Sequence, residues 1–267
     1  MGKTLSRNTK QLLAWFFMPT AEIDELSLLV LKQIDRSKTK TKTINLDLET
    51  KQLPPGSRPL LDWIRSDLDP DLESKIKNVV TYICVERAMN IDWYAWYWSP
   101  EPGYCDRVII PFYQSAQLVG YTARRLGPGN PKYLSEQQSG YVFNLDSQTT
   151  DRTWVIVCEG PFDAIAVDGV AILTNDPNHT QIHRIQTLRR QVVICPDRDR
   201  AGSKLIDRAL EQEWAVSFPK WESGVKDAAD AVKHYGRLYT VHSILANALT
   251  TNLKIELARR QWEKSYA

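Results

Sequence analysis

Cysteine is scarce in this chain. Only four occur in 267 residues, Cys84, Cys105, Cys158 and Cys195, and no two stand in a C-x-x-C arrangement. No Cys/His set has zinc-ligand spacing, which excludes a zinc ribbon or finger within this sequence. The scatter also argues against a disulfide framework and fits a reducing, cytoplasmic setting. Long apolar runs are missing as well. None approaches the ~18 residues of a membrane-spanning helix, so no membrane association is expected. The apolar stretch Leu12–Met18 lacks a small-residue cleavage pattern and runs into Pro19, which argues against a secretory signal. Net charge is nearly absent, +2 from 34 basic and 32 acidic residues. Contact with a polyanion must therefore come from local basic faces. Gly2-Lys3-Thr4 has the ending of a phosphate-binding loop without its upstream glycine or its strand, and is discarded as one.

What is present is a substantial apolar fraction, 43%, enough for a packed core. The stretch Trp154–Gly202 organises it. Two short apolar, β-branched runs, Trp154–Cys158 and Gln191–Cys195, each stop at a proline-containing acidic turn. Such runs read as strands buried on both faces, hence as a parallel sheet covered by helices. The first delivers Glu159, then Asp163; the second delivers Asp197 and Asp199. Functional groups gather at the carboxyl edge of a parallel sheet, so these carboxylates are expected to converge. Asp197 and Asp199 stand at i and i+2, on one side of an extended segment. Like charges this close resist joint ionisation unless a cation offsets them, and hard oxygen ligands suit Mg²⁺ or Mn²⁺. Taken alone, a D-x-D is more simply a helix cap. Strand-E-G, strand-D-x-D-x-x-G and a later acidic K-D turn together are much harder to obtain by chance.

These motifs carry a resemblance. VIVCEGPFDAIAV, VVICPDRDRAGSKL and VKDAADAV resemble the three acidic motifs of a Toprim domain, shared by bacterial-type primases, topoisomerases, recombination mediators and some nucleases. The resemblance implies an acid/base role for Glu159 and metal binding by Asp197 and Asp199. Asp227 matches the acidic residue after the motif's lysine, and Asp163 a further acid of the E-G-x-x-D motif; Glu159, Asp163 and Asp227 thereby join the implied metal set. Upstream, R-V-I-I-P-F from Arg107, G-Y-T-A-R ending at Arg124, and P-K-Y-L containing Lys132 resemble the subdomain that precedes Toprim in bacterial and phage primases. That likeness implies that Arg107, Arg124 and Lys132, with Arg125 as a further candidate, contact template or nucleotide phosphates.

The implied fold is α/β: a Toprim-type parallel sheet flanked by helices, behind an α+β N-terminal subdomain. Expected boundaries are 1–58 for a helical segment and irregular linker, 59–150 for the primase-like subdomain, 151–237 for Toprim and 238–267 for a C-terminal helical segment. The implied function is a phage-like DNA primase core, making short RNA primers on single-stranded DNA from ribonucleoside triphosphates with Mg²⁺ or Mn²⁺. With no zinc ribbon in the sequence, template recognition would come from a separate zinc-ribbon protein, or from residues 1–58 without zinc, or initiation specificity would be lost; with no helicase P-loop, unwinding would fall to a replicative helicase, docked on 238–267. Localisation would be the bacterial cytoplasm, or the host cytoplasm if phage-encoded. The alternatives are a Toprim-type nuclease and a non-catalytic DNA-binding or loading factor.

Local patterns complete the reading. The basic run Arg36–Lys42 reads as a solvated linker or a phosphate-contacting arm. Asn90–Ser99, NIDWYAWYWS, has no Lys or Arg among its rings and reads as core rather than as a base-stacking platform. His179 and His183 read as part of a capped helix start rather than as a metal pair. Helices are expected over Pro161–Val167, Gln181–Arg190, Ala201–Gln212 and Lys226–His234. Strands are expected over Val170–Thr174 and Trp214–Phe218.

Overall fold

Val108, Ile110 and Phe112 alternate with Ile109 along one strand, and the chain then reverses through Ser115 and Ala116, both at positive φ. A two-residue hairpin turn with positive φ at both positions matches the right-handed twist of its strands. The computed structural model describes residues 10, 11, 14, 19, 20, 23, 24, 47–148 and 152–264. The hairpin pairs β3 (Arg107–Gln114) with β4 (Gln117–Arg125), from Arg107 opposite Arg125 to Gln114 opposite Gln117. Around it lie β1 (Arg58–Pro59), β2 (Tyr97–Trp98) and β5 (Tyr133–Glu136), giving an antiparallel sheet in the order β1-β2-β3-β4-β5. Before it come α1 (Leu60–Ile64), α2 (Pro70–Thr81) and a π-helical turn, Tyr82–Glu86. Asp69 caps α2 by accepting from the amides of Asp71 and Leu72, with Pro70 at the first helical position.

The second sheet is built from β6 (Trp154–Cys158), β7 (Val170–Ala171), β8 (Gln191–Ile194) and β9 (Ala215–Ser217), all parallel, with β10 (Ala248–Leu249) antiparallel on one edge. Its order is β10-β9-β8-β6-β7. The helices are α3 (Pro161–Val167), α4 (His179–Thr187), α5 (Gly202–Glu211), α6 (Ala228–Tyr235), α7 (Arg237–Ala246) and α8 (Asn252–Glu263). Strand alternation divides the core. Ile156, Cys158, Val193 and Cys195 face α3, α6, Phe112 of the first sheet, and Tyr141 and Phe143 of the segment that follows β5. Val155, Val157, Val192 and Ile194 face α4, α5 and α8. The aromatic stretch 90–99 is core: Trp96 and Trp98 are buried, and the Trp98 indole donates to Cys105 O at 2.9 Å.

Several expected elements differ at their ends. Val170–Thr174 shortens to β7 because Leu173 takes φ +60°, turning Thr174 off the strand line. The helix expected from Gln181 to Arg190 starts earlier, because Asn178 and Gln181 form a reciprocal capping box, and stops at Thr187, with Arg189 at φ +53° beyond it. The segment 238–267 is not an appendage. Its β10 completes the sheet, Ile255 and Trp262 of α8 enter the core, and Arg259 bridges α8 to Asp207 of α5 at 2.6 Å. Two compact units divide the chain, 1–44 and 45–267. Positions 10, 11, 14, 20, 23 and 24 are helical; the rest of the helical segment expected within 1–58, and the basic run 36–42, lie outside the described residues.

Because Trp262 packs edge-on against Phe218 at 5.8 Å and is buried, Trp262→Ala is expected to lower the unfolding free energy by about 3 kcal/mol. Urea denaturation followed by circular dichroism measures this. A loss under about 0.5 kcal/mol would show that α8 adds little to the core.

Candidate active site

Two strand ends and one helix start carry the acidic residues. After β6 the chain turns at Glu159-Gly160 directly into α3, with Pro161 at its first position and Asp163 in its first turn. After β8 it turns at Pro196-Asp197 toward α5. Gly202, at the start of α5, sits so close to this turn that a Cβ there would lie 2.3 Å from Asp197 O; only glycine allows the approach. Asp227 is the N-cap of α6 and accepts from Asp230 N at 2.7 Å. The amide of Ala229, also in the first turn of α6, donates to Asp163 Oδ1 at 2.9 Å. The positive end of one helix thus supports two of the carboxylates.

Asp163, Asp197 and Asp227 each bring a carboxylate oxygen within 4.8 Å of the others. Glu159 lies beside them, its Oε1 at 3.4 Å from the Asp197 amide. Burial, with the Asp199 charge second, raises Glu159 to about 7. Burial and the charges of Glu159, Asp227 and Asp199 raise Asp197 to about 8. Burial pushes Asp163 well above the usual carboxylate range and raises Asp227 as well. Three hard oxygen donors held together against their own repulsion fit a divalent cation, which would offset the charge that burial penalises.

Opposite the acids stands a basic wall. Arg87, Arg124 and Lys132 line the same cleft as Glu159, Asp163, Asp197 and Asp227, a cavity of about 550 Å³. Tyr82 fixes the two arginines: its hydroxyl accepts from Arg87 Nε and from Arg124 Nε, each at 3.1 Å. The Arg87 guanidinium lies 5.0 Å from the Phe162 ring centroid, and that of Arg124 4.8 Å from the Tyr133 ring. Arg124 Nη1 is buried without a hydrogen-bond partner among the described residues. A buried unpaired donor is costly, and one on the wall of an acidic cleft suits an anionic ligand.

Two expected site residues lie elsewhere, and a third, Asp199, stands at the margin of the acidic cluster. Arg107 is 2% exposed, and its guanidinium donates to Gly103 O, Ala123 O, Pro131 O and Lys132 O. A buried cation must satisfy its donors, and four carbonyls do so, two of them in the loop leading into β5. Arg107 is therefore a strut beneath Lys132, not a phosphate contact. Arg125 follows Arg124 on a strand, so it faces the opposite way and meets Asp106 at 3.6 Å. Asp199 is exposed, and its Oδ1 accepts from the amides of Ala201 and Gly202 at 2.8 and 3.1 Å. The chain has left the strand by that point, so Asp199 is not one of the three clustered carboxylates, although it stays near enough for its charge to raise Glu159 and Asp197. Arg87 was missed: it stands at the end of the π-helical turn, with no strand or motif to mark it. The helix cap at Asn178 accounts for His179.

Comparisons with known proteins fit this geometry. Residues 156–232 match the Toprim-like family (Toprim_2). Two solved structures cover most of the chain. One, of the DnaG primase catalytic domain bound to ssDNA, aligns with TM-score 0.55 at 18% identity over 71% of this chain and 78% of its own. The other, of the RNA polymerase domain of Mycobacterium tuberculosis primase DnaG, aligns with TM-score 0.58 at 16% identity over 75% and 82%. The chain has the fold of a primase catalytic core. Among curated relatives, the DNA primase of Rickettsia conorii is 26% identical over 187 residues, 61% of this chain and 30% of that protein. That of Campylobacter jejuni is 31% identical over 120 residues, 39% and 20% respectively. The chain thus spans about a third or less of these primases. Among the described residues, no helix of this primase-like core is long and apolar enough to cross a membrane.

Raised carboxyl pKa values fix the sign of a pH effect. Such groups cost nothing while protonated in both states, and they destabilise the folded chain as pH climbs from about 4 through about 7 to 8. In chelator-treated buffer the protein should therefore melt at a lower temperature at pH 8.5 than at pH 6. Asp197→Asn should stabilise the metal-free protein at pH 8.5 by about 1–2 kcal/mol and forfeit the stabilisation that Mg²⁺ gives the parent. Calorimetry with and without Mg²⁺ reads both. A destabilised Asp197→Asn would show that the acids do not repel one another.

Proposed function

We propose that this chain is the catalytic core of a DNA primase, a nucleotidyltransferase that makes short RNA primers on single-stranded DNA. The observation that carries the reading is the facing of an acidic triad by a fixed basic wall across one cleft, on this fold. Asp163, Asp197 and Asp227 would hold the divalent cation, Mg²⁺ or Mn²⁺. When bound, it supplies charge stabilisation for the reacting phosphates of a phosphoryl transfer. Arg87, Arg124 and Lys132 would bind and orient phosphates of the nucleotide and template across the cleft. The Tyr82 hydroxyl and the Phe162 and Tyr133 rings hold these cations in place before substrate arrives, so little reorganisation accompanies the reaction. Glu159, raised to about 7, has the proton affinity to take up the proton of the attacking 3′-hydroxyl near neutral pH.

Template recognition and strand unwinding are assigned to partners, a zinc-ribbon protein and a replicative helicase in the bacterial or host cytoplasm. A helicase would meet the folded C-terminal surface rather than a free tail.

The test is primer synthesis with labelled ribonucleotides, mixed single-stranded DNA and Mg²⁺ or Mn²⁺, with and without a helicase and zinc-ribbon partner. Short RNA that disappears in Asp197→Ala supports the reading. Lys132→Ala is expected to cost at least about tenfold in kcat/KM, while Arg125→Ala, outside the cleft, leaves it unchanged. Nucleotide-independent cleavage of DNA, with no RNA product, would replace this reading with a nuclease.

A further inference from the structure

Arg198, between Asp197 and Asp199, takes no part in the chemistry above and does not line the cleft. Its backbone amide donates to Lys226 O at 2.7 Å, the carbonyl immediately before Asp227. Its guanidinium donates to Glu222 O at 3.1 Å, and to Trp221 O and Pro219 O at 3.4 Å. All these acceptors belong to the connection from β9 to α6, which ends at Asp227. That connection has other anchors. The Trp221 indole donates to Ser243 Oγ at 2.9 Å, and the Glu222 amide to the Tyr235 hydroxyl at 2.9 Å. Both come from helices α7 and α6, beyond Asp227 in the chain. Among the described hydrogen bonds, only those of Arg198 join this connection to the turn that carries Asp197.

We infer that Arg198 is a positioning residue that sets Asp227 against Asp197 and thereby tunes the divalent-cation affinity of the triad. The planar fork is suited to this role, because it reaches several carbonyls in one fixed geometry. Groups that orient metal ligands from behind commonly govern affinity as strongly as some ligands do. The inference rests on the reading of the triad as a cation site, and it yields a sign that electrostatics alone does not. Deleting a positive charge near three carboxylates should strengthen cation binding; loosening the clasp should weaken it.

The experiment is Mn²⁺ binding to the full chain, read from the electron paramagnetic resonance of free Mn²⁺, with no substrate or turnover required. Arg198→Ala is expected to bind Mn²⁺ about tenfold more weakly while keeping its circular dichroism spectrum. Arg198→Lys, which keeps the charge but loses the fork, should fall between this variant and the parent. Tyr235→Phe removes a distal anchor of the same connection and should leave the affinity unchanged. Equal or tighter binding by Arg198→Ala overturns the inference, as does equal weakening by Tyr235→Phe, which would indicate general loosening. Should Arg198→Ala fail to fold, Arg198→Lys decides, and parental affinity there overturns the inference. Parental protein that binds no Mn²⁺ removes the cation reading itself, and this inference with it.

Discussion

The crowding of buried negative charge at the carboxyl end of one sheet is the constraint to which the rest of this structure answers. Asp163 is 7% exposed, and no cationic side chain forms an ion pair with it, with Asp197 or with Asp227 among the described residues. What supports the acids is backbone. The first turn of α6 donates amides to Asp163 and Asp227, and the Asp197 amide approaches Glu159. Dipoles of this kind stabilise charge without neutralising it, so the cluster keeps its affinity for a cation. The glycines follow from the same need. A side chain at position 202 would strike the Asp197 carbonyl, and one at position 160 would meet Asp163 Oδ2 at 3.0 Å.

The first sheet answers the charge from the other side of the cleft. Its cations are held by aromatic rings and a shared hydroxyl rather than by carboxylates, so their charge remains available. Arg107 shows the contrast within the same sheet. Its donors are spent on carbonyls, and it therefore fixes the loop leading into β5 instead of facing a ligand. Both layers share one core, in which Phe112 and Phe143 belong with Ile156 and Val193. The opposing walls are accordingly set by packing, which is far stiffer than a flexible linker would be.

Much of this was legible in the sequence, because burial and turn chemistry leave short-range marks. The strand Trp154–Cys158 and the helix Pro161–Val167 have the expected bounds, since an apolar run, a glycine and an N1 proline define them locally. The convergence of Asp163 and Asp197 followed from strand ends, whereas Asp227 was implied only by the likeness to the Toprim acidic motifs. What sequence could not supply was the direction of individual side chains. Asp197 and Asp199 looked equivalent at i and i+2, but the strand ends at Ile194 and the period-2 rule ends with it. Arg107 and Arg124 looked alike on neighbouring strands, and only the tertiary fold decides which has carbonyls within reach. Arg87 comes to the site through a π-helical turn, which no hydrophobic periodicity announces.

The C-terminal segment shows the same limit on a larger scale. Ile244, Leu245, Leu249, Leu253, Ile255 and Leu257 read as the apolar positions of one helical segment, yet two helices and a strand divide them. Leu249 pairs with Val216 on the sheet edge, whereas Leu253 and Leu257 are 69% and 54% exposed. The residues that anchor α8 are Ile255, one of those positions, and Trp262, seven further on, and a spacing of seven returns to nearly the same helix face. The strand β10 also caps β9, whose edge would otherwise present unpaired backbone groups. Once β10 is committed to the sheet, α8 has to lie where Ile255 and Trp262 meet β8, β9 and α5. A segment that read as a helical docking site is thereby part of the scaffold holding α5, and α5 begins at the glycine packed against Asp197.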